Sequence, residues 1–103
     1  MDITVKYNGK NFFGFVEYME CTEVLTELTM KKAIAGLKKD RDMAVHISSG
    51  AENTAFYYDN WGDFENGIIT VHHSKSYYEI DTPVKMSFAK AKKAMMDLLK
   101  QAA

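Results

Sequence analysis

The chain has 103 residues, of which 47% are hydrophobic and 26% charged, and its formal net charge is −1 at pH 7. This composition argues against disorder, and the length suits one domain with its own core, so we expect a single domain over residues 1–103. The near-neutral charge removes the general electrostatic case for direct nucleic-acid binding, which ordinarily uses a basic surface.

Cys21 is the only cysteine, so neither an intramolecular disulfide nor a cluster of thiolate ligands can form. We expect Cys21 to be a small buried apolar residue. The N-terminal residues Met1 to Lys6 lack the basic region and apolar stretch of a signal peptide. No run approaches the roughly 18 apolar residues of a membrane-spanning helix. These features predict a cytoplasmic protein that does not bind membranes.

Two strands are predicted at the start of the chain. Ile3, Val5 and Tyr7 alternate with polar residues, which is the period of a half-buried strand. Asn8-Gly9 is a strong signal for a two-residue hairpin turn, because both residues tolerate positive φ. The partner strand is therefore predicted to run from Lys10 to about Tyr18.

A helix is predicted next, from about Thr22 to Lys39. Thr22-Glu23 can cap it, and apolar residues then recur at spacings of three and four. However, Val24, Thr26, Leu28 and Met30 also alternate, as residues of a strand do. If the alternation prevails, only Met30 to Lys39 is helical.

Four further strands and a closing helix are predicted for the rest of the chain. The strands are residues 43–48, 54–58, 68–73 and 77–81, with a loop at 59–67. Ser87 can cap the last helix, in which Phe88, Ala91, Met95 and Leu98 share one stripe. The order ββαββββα predicts an α+β domain with a mostly antiparallel sheet and two helices packed on one face.

The most distinctive stretch runs from Phe56 to Asp81. It holds seven of the thirteen aromatic residues with five acids and one base, a charge of −4 against +3 for the remainder. Aromatic side chains fill pockets on a partner at low entropic cost, and carboxylates orient a basic protein. About half of the aromatics, among them Phe56, Tyr58 and Phe64, are expected to face the core. The candidate partner-binding residues are Tyr57, Asp59, Trp61, Asp63, Glu65, Tyr77, Glu79 and Asp81.

Histidines and carboxylates of the chain raise the question of a metal site. His46, His72 and His73 could supply imidazole ligands. Because neighbouring strand residues point to opposite faces, His72 and His73 cannot easily share one ion. The acidic loop also lacks the alternating pattern of a calcium loop. We therefore expect no metal and no other cofactor.

A small ribonuclease-like enzyme is the catalytic alternative. Such a site needs a general base, a general acid and a cation near the phosphate. His72 or His73, with Glu79 and Lys75, could fill these roles on one hairpin. One base among five acids would repel a phosphodiester, so we expect that the protein is not an enzyme.

The layout of several short segments resembles a known family. These segments are Tyr7-Asn8-Gly9-Lys10, a strand ending in Ser48-Ser49-Gly50, an aromatic strand ending in Tyr57-Tyr58-Asp59, and a closing helix from Val84 to Leu99. Together they resemble the small α+β immunity proteins encoded beside bacterial polymorphic toxins, including those of contact-dependent growth inhibition systems.

The resemblance implies a cytoplasmic antitoxin without catalysis of its own. Its partner would be the C-terminal domain of the cognate toxin, often a nuclease with a basic active site. An acidic aromatic surface suits such a partner. The alternative that stays open is a general protein-interaction or regulatory module with no toxin partner.

Overall fold

Six strands and three helices are formed by residues 1–102, which are the residues that the computed structural model describes. The strands are β1 (Asp2–Lys10), β2 (Val16–Val24), β3 (Ala44–Ser49), β4 (Glu52–Tyr57), β5 (Ile68–Ser74) and β6 (Val84–Ser87). The helices are α1 (Glu27–Lys39), α2 (Trp61–Glu65) and α3 (Phe88–Ala102). None of these helices is long and apolar enough to cross a membrane.

All six strands belong to one antiparallel sheet in the order β2-β1-β3-β4-β5-β6. Helix α1 packs over β1 and β3, and α3 packs over β5 and β6. The predicted class is confirmed: an α+β domain with an antiparallel sheet and two long helices on one face.

The core lies between the sheet and the two long helices. Val45 on β3 pairs with Phe56 on β4, which pairs with Val71 on β5, so one row of apolar side chains crosses the sheet. The side chains that are almost completely buried come from both layers: Met30, Leu37, Val45, Ile47, Phe56, Ile69 and Met95. Ala91 and Met95 are also buried, as the predicted stripe of the last helix requires.

The first hairpin turn lies three residues later than predicted. Asn8 and Gly9 are inside β1, paired with Tyr18 and Glu17. The chain turns at residues 11–15, where the Asn11 side chain accepts hydrogen bonds from the amides of Phe13 and Phe15, both at 3.0 Å. Gly14 there has a φ of 83°. The prediction of a turn at Asn8-Gly9 was wrong because Asn11 and Gly14 supply a stronger turn and leave nine paired residues in each strand.

The first helix begins at Glu27 rather than Thr22, so the longer predicted helix was wrong at its start. Thr22 and Val24 belong to β2, where Thr22 pairs with Thr4. The capping residue is Thr26, whose hydroxyl accepts from the Thr29 amide while the Thr29 hydroxyl accepts from the Thr26 amide. The alternating pattern of side chains thus correctly indicates a strand up to Val24, and the helical spacing of apolar residues indicates the helix from Glu27.

The last strand is also displaced. Residues 77–81 do not form a strand and contribute only one isolated bridge, Ser74 to Ile80. The sixth strand is instead Val84–Ser87, which begins where the resemblance placed the closing helix. Pairing of Val84 with Val71 and of Met86 with Ile69 brings apolar side chains together on neighbouring strands. Ser87 then caps α3, as predicted, accepting from the Lys90 amide at 3.3 Å.

Strand β2 is one edge of the sheet, and its side chains are mostly exposed. Cys21 lies on this strand and is exposed, so the expectation that it is buried was wrong. Helix α1 packs mainly over β1 and β3, which leaves most side chains of β2 exposed. Three glutamates, Glu17, Glu20 and Glu23, are spaced along the same strand.

Candidate functional site

The eight candidate partner-binding residues lie in two groups at opposite ends of β5. Tyr57 pairs with Thr70 near the start of β5, whereas Ser74 at its end bridges to Ile80. A strand from Ile68 to Ser74 spans roughly 20 Å. The group at the α2 end contains Tyr57, Asp59, Trp61, Asp63 and Glu65, and the group at the loop end contains Tyr77, Glu79 and Asp81.

Helix α2, which sequence reasoning took for part of a loop, positions the α2 end. Asn60 caps it, its side chain accepting from the Asp63 amide at 2.8 Å. Phe64 packs edge-on against Tyr58, with centroids 4.9 Å apart, and Trp61 packs against Phe64 at 5.8 Å. Trp61 therefore packs on the domain through Phe64 and Tyr58, while its side chain is 52% exposed.

The acids of the α2 end are partly neutralised within the chain. Lys85 Nζ lies 2.8 Å from Asp63 Oδ2 and 3.4 Å from Asp59 Oδ2. The hydrogen bond with Asp63 raises the pKa of Lys85. The Arg41 guanidinium lies 4.2 Å from the centroid of the Trp61 ring. Arg41 also forms an ion pair with Asp42 at 3.6 Å. The four carboxylates Asp42, Asp59, Asp63 and Glu65 thus share this region with two cations, which leaves 2 − 4 = −2.

The loop end presents two tyrosines to solvent. Tyr77 is 85% exposed and Tyr78 is 96% exposed. A tight turn holds them, because the Ser76 hydroxyl accepts from the amides of Tyr78 at 3.2 Å and Glu79 at 3.1 Å. The Lys75 amide also donates to the Glu79 carbonyl at 2.9 Å.

His73 fastens this loop to the sheet. Its Nδ1 lies 2.9 Å from Asp81 Oδ2, and its Nε2 lies 3.0 Å from Glu52 Oε1. The hydrogen bond with Asp81, followed by that with Glu52, raises the pKa of His73. When protonated, the ring donates to both carboxylates, so Asp81 serves the loop's own attachment.

A third aromatic group, which the sequence reasoning placed in a strand, lies at the tip of the first hairpin. Strand β1 pairs with β3 only as far as Lys6, so residues 7–19 extend past β3 as a two-stranded hairpin arm. At its tip Phe12 is 97% exposed, Phe13 79% and Phe15 71%. The signal in the sequence is Asn11 followed three residues later by Gly14, a turn that isolates these phenylalanines from either strand.

The hairpin arm and α2 lie at the same end of the sheet. Lys6, where the arm leaves the sheet, pairs with Ala44, and Ala44 pairs with Tyr57, which shortly precedes α2. The α1–β3 turn, with Asp40 and Asp42, also meets the sheet at Ala44. We call this surface the arm end: the tip of the hairpin arm, the α1–β3 turn and the α2 end.

The histidines do not converge on one site. His72 pairs with Ala55 and His73 with Thr54, so their side chains lie on opposite faces. His46 also pairs with Ala55, and its Nδ1 lies 3.2 Å from Asn53 Nδ2. Burial lowers the pKa of His46. Within residues 1–102, no three metal-ligating side chains lie close enough together to hold an ion.

Comparison with known proteins finds no relative: no family model matches the chain, and neither a curated protein nor a solved structure matches it.

Proposed function

We propose that this chain is an immunity protein that binds a cognate bacterial toxin domain and neutralises it by covering its active site. The partner is a basic protein, such as a nuclease, and the complex forms in the cytoplasm. The observation that carries the proposal is the exposure of Phe12, Phe13 and Phe15 at the arm end, which also holds Trp61 and its carboxylates.

The aromatic side chains supply the affinity. A fully buried phenylalanine contributes roughly 2 kcal/mol relative to an exposed one, and aromatic anchors at the centre of an interface are typical hot spots. Phe12 and Phe13 already pack edge to face, with ring centroids 5.4 Å apart. A two-stranded arm that presents them in one arrangement also loses less conformational entropy on binding than a flexible loop would.

The neighbouring carboxylates supply orientation. Asp59 and Glu65 lie at the α2 end, and Asp40 and Asp42 lie in the α1–β3 turn. Arginines and lysines that a toxin uses to hold phosphate can pair with these acids, which favours rapid encounter. Asp59 would exchange its ion pair with Lys85 for one with the toxin, whereas Asp63, which is more covered, would keep its pair.

The test uses the purified product of the gene directly upstream, where an immunity gene's toxin is expected. Calorimetry should give a nanomolar dissociation constant, about −12 kcal/mol, and the complex should lack nuclease activity. The double variant Phe12→Ser/Phe13→Ser should weaken binding by about 100-fold or more, corresponding to roughly 3 kcal/mol.

A matched control changes Tyr77 and Tyr78, two similarly exposed aromatic residues at the loop end. Tyr77→Ser/Tyr78→Ser should leave the affinity within about threefold of the original protein if the arm end alone forms the contact. Equal losses in both variants would mean that the partner spans both the arm end and the loop end. Unchanged toxin activity in the presence of excess protein would contradict the immunity function.

A further inference from the structure

The two long helices carry a charge that the composition conceals. α1 and α3 together contain eight lysines and two acids, which gives 8 − 2 = +6. The rest of the chain contains five basic and twelve acidic residues, which gives 5 − 12 = −7. The helical layer is therefore strongly basic, and the C-terminal end of α1 adjoins the arm end through the α1–β3 turn.

An apolar groove runs between the two helices. One part, of about 370 Å³, is lined by Ile34 and Ala35 of α1 and by Phe88 and Met96 of α3. A second part, of about 390 Å³, shares Met96 and continues past Leu99 to Leu25. Low numbers on α1 face high numbers on α3, so the helices are antiparallel and the groove follows their length.

Lysines stand on both lips of the groove. Lys31 and Lys38, two turns apart, border it on α1, and Lys92 and Lys100 border it on α3. Lys31 forms an ion pair with Glu27 at 3.1 Å. No carboxylate of residues 1–102 forms an ion pair with the other three lysines. The lips therefore offer cationic groups beside an apolar floor.

We propose that this groove binds an acidic amphipathic helix of another protein. A helix of that kind places leucine-like side chains on the floor and glutamate or aspartate side chains against both lips, the helix-in-groove mode of recognition. From Glu27 to Lys38 the groove is roughly 16 Å long, about three helical turns. The floor residues Ile34, Ala35 and Met96 cannot hydrogen-bond phosphates, so an apolar helix face satisfies the groove better than a nucleic-acid backbone does.

The probe is a synthetic 18-residue peptide with leucines at positions i, i+3, i+4 and i+7 and glutamates on both flanks. Its control is an isomer of identical composition in scrambled order. Titration of the full chain should show saturable binding of the amphipathic peptide, at least tenfold tighter than its isomer, with NMR shifts at the methyl groups of Ile34 and Met96.

Two variants locate the binding. Lys38→Glu/Lys92→Glu should weaken binding of the amphipathic peptide at least tenfold, because both lips then repel its acids. Lys75→Glu, at the loop end, makes the same kind of change away from the groove and should weaken binding by less than about twofold. Circular dichroism verifies that each variant is folded.

Three results would overturn the proposal. Equal affinity for the scrambled isomer would mean that charge alone attracts the peptide. Tighter binding of an 18-base-pair duplex, or of vesicles rich in phosphatidylserine, would assign the basic layer to nucleic acid or membrane. Shifts confined to the hairpin arm would place the contact elsewhere. Lys31→Glu/Lys100→Glu changes two lysines of the groove that lie away from the α1–β3 turn. This variant should weaken peptide binding at least tenfold and leave toxin binding unaffected, so the two proposals fail independently.

Discussion

The hydroxyl of Tyr58 donates a hydrogen bond to the backbone carbonyl of Leu37, which joins the end of β4 to the last turn of α1. Carbonyls in the last turn of a helix lack partners within the helix. Tyr58 supplies one here, and its ring also supports Phe64 and, through it, Trp61. One side chain thus connects the core to the α2 end.

Tyr58→Phe should destabilise the protein by about 1 kcal/mol, because the Leu37 carbonyl loses its partner in a partly buried position. Urea denaturation followed by circular dichroism measures the change. Tyr77→Phe removes the same hydroxyl from a side chain that is almost fully exposed and should change stability by less than about 0.5 kcal/mol. Equal effects in the two variants would mean that the bond contributes nothing.

Phe56→Ala should destabilise the protein by about 3–5 kcal/mol, because it leaves a cavity at the centre of the sheet. Phe12→Ala makes the same chemical change at the hairpin tip and should stay within about 0.5 kcal/mol. The free energy of unfolding from denaturant titration distinguishes them. A large loss in Phe12→Ala would show that the tip packs against the domain.

Gly14→Ala should cost about 1 kcal/mol, since a residue with a Cβ is strained at a φ of 83° even though no atom lies within 4 Å of the added carbon. Gly62→Ala, where the nearest atom to an added Cβ is Asn60 Oδ1 at 3.4 Å, provides a control in regular helix. Denaturation gives the cost, and amide shifts of residues 11–15 report the tip. A stability gain in Gly14→Ala would be inconsistent with the strained turn.

His73 should titrate above its ordinary pKa of 6.5, because Asp81 and Glu52 stabilise the imidazolium. A raised pKa in the folded state means that the native protein binds the proton more tightly than the unfolded chain does. The resulting stabilisation is complete below pH 6.5 and is lost as the pH rises through the folded pKa. NMR titration of the ring protons measures the shift, and Asp81→Asn should reduce it.

His46 provides the opposite case in the same titration. Burial, followed by the charge of Lys6, lowers its pKa below 6.5. Its contribution to stability is therefore present above pH 6.5 and is lost as the pH falls through the folded pKa. If His46 and His73 titrate together near 6.5, burial and ion pairing do not shift the two rings in opposite directions.

Local periodicity was enough to predict the layers of this fold but not the positions of its turns. Phe56 and the stripe containing Ala91 and Met95 were found because alternation and helical spacing depend on burial, which the structure confirms. The predicted turn at Asn8-Gly9 was wrong, because the preference of a dipeptide for a turn competes with the pairing register of the whole hairpin. Nine cross-strand pairs and the turn at Asn11 stabilise the register that the structure shows.

The candidate site was predicted less completely for a related reason. Trp61 and Tyr77 are near in sequence, but strand β5 lies between them and places them at its opposite ends. The direction of β5 in the sheet depends on contacts between residues that are distant in sequence. The exposure of Phe12 and Phe13 likewise depends on β3 ending its pairing with β1 at Lys6. Neither fact is contained in local composition.

The glutamates of β2 have a consequence for how copies of this protein behave at high concentration. The outer edge of this nine-residue strand has no neighbouring strand, and such an edge is a template for cross-β growth that natural sheets protect with charged side chains. If two β2 strands met antiparallel about Glu20, Glu17 of each would oppose Glu23 of the other. The negative charges of these side chains keep the two edges apart, so Glu17→Gln/Glu23→Gln would remove an electrostatic barrier to fibre-like polymerisation.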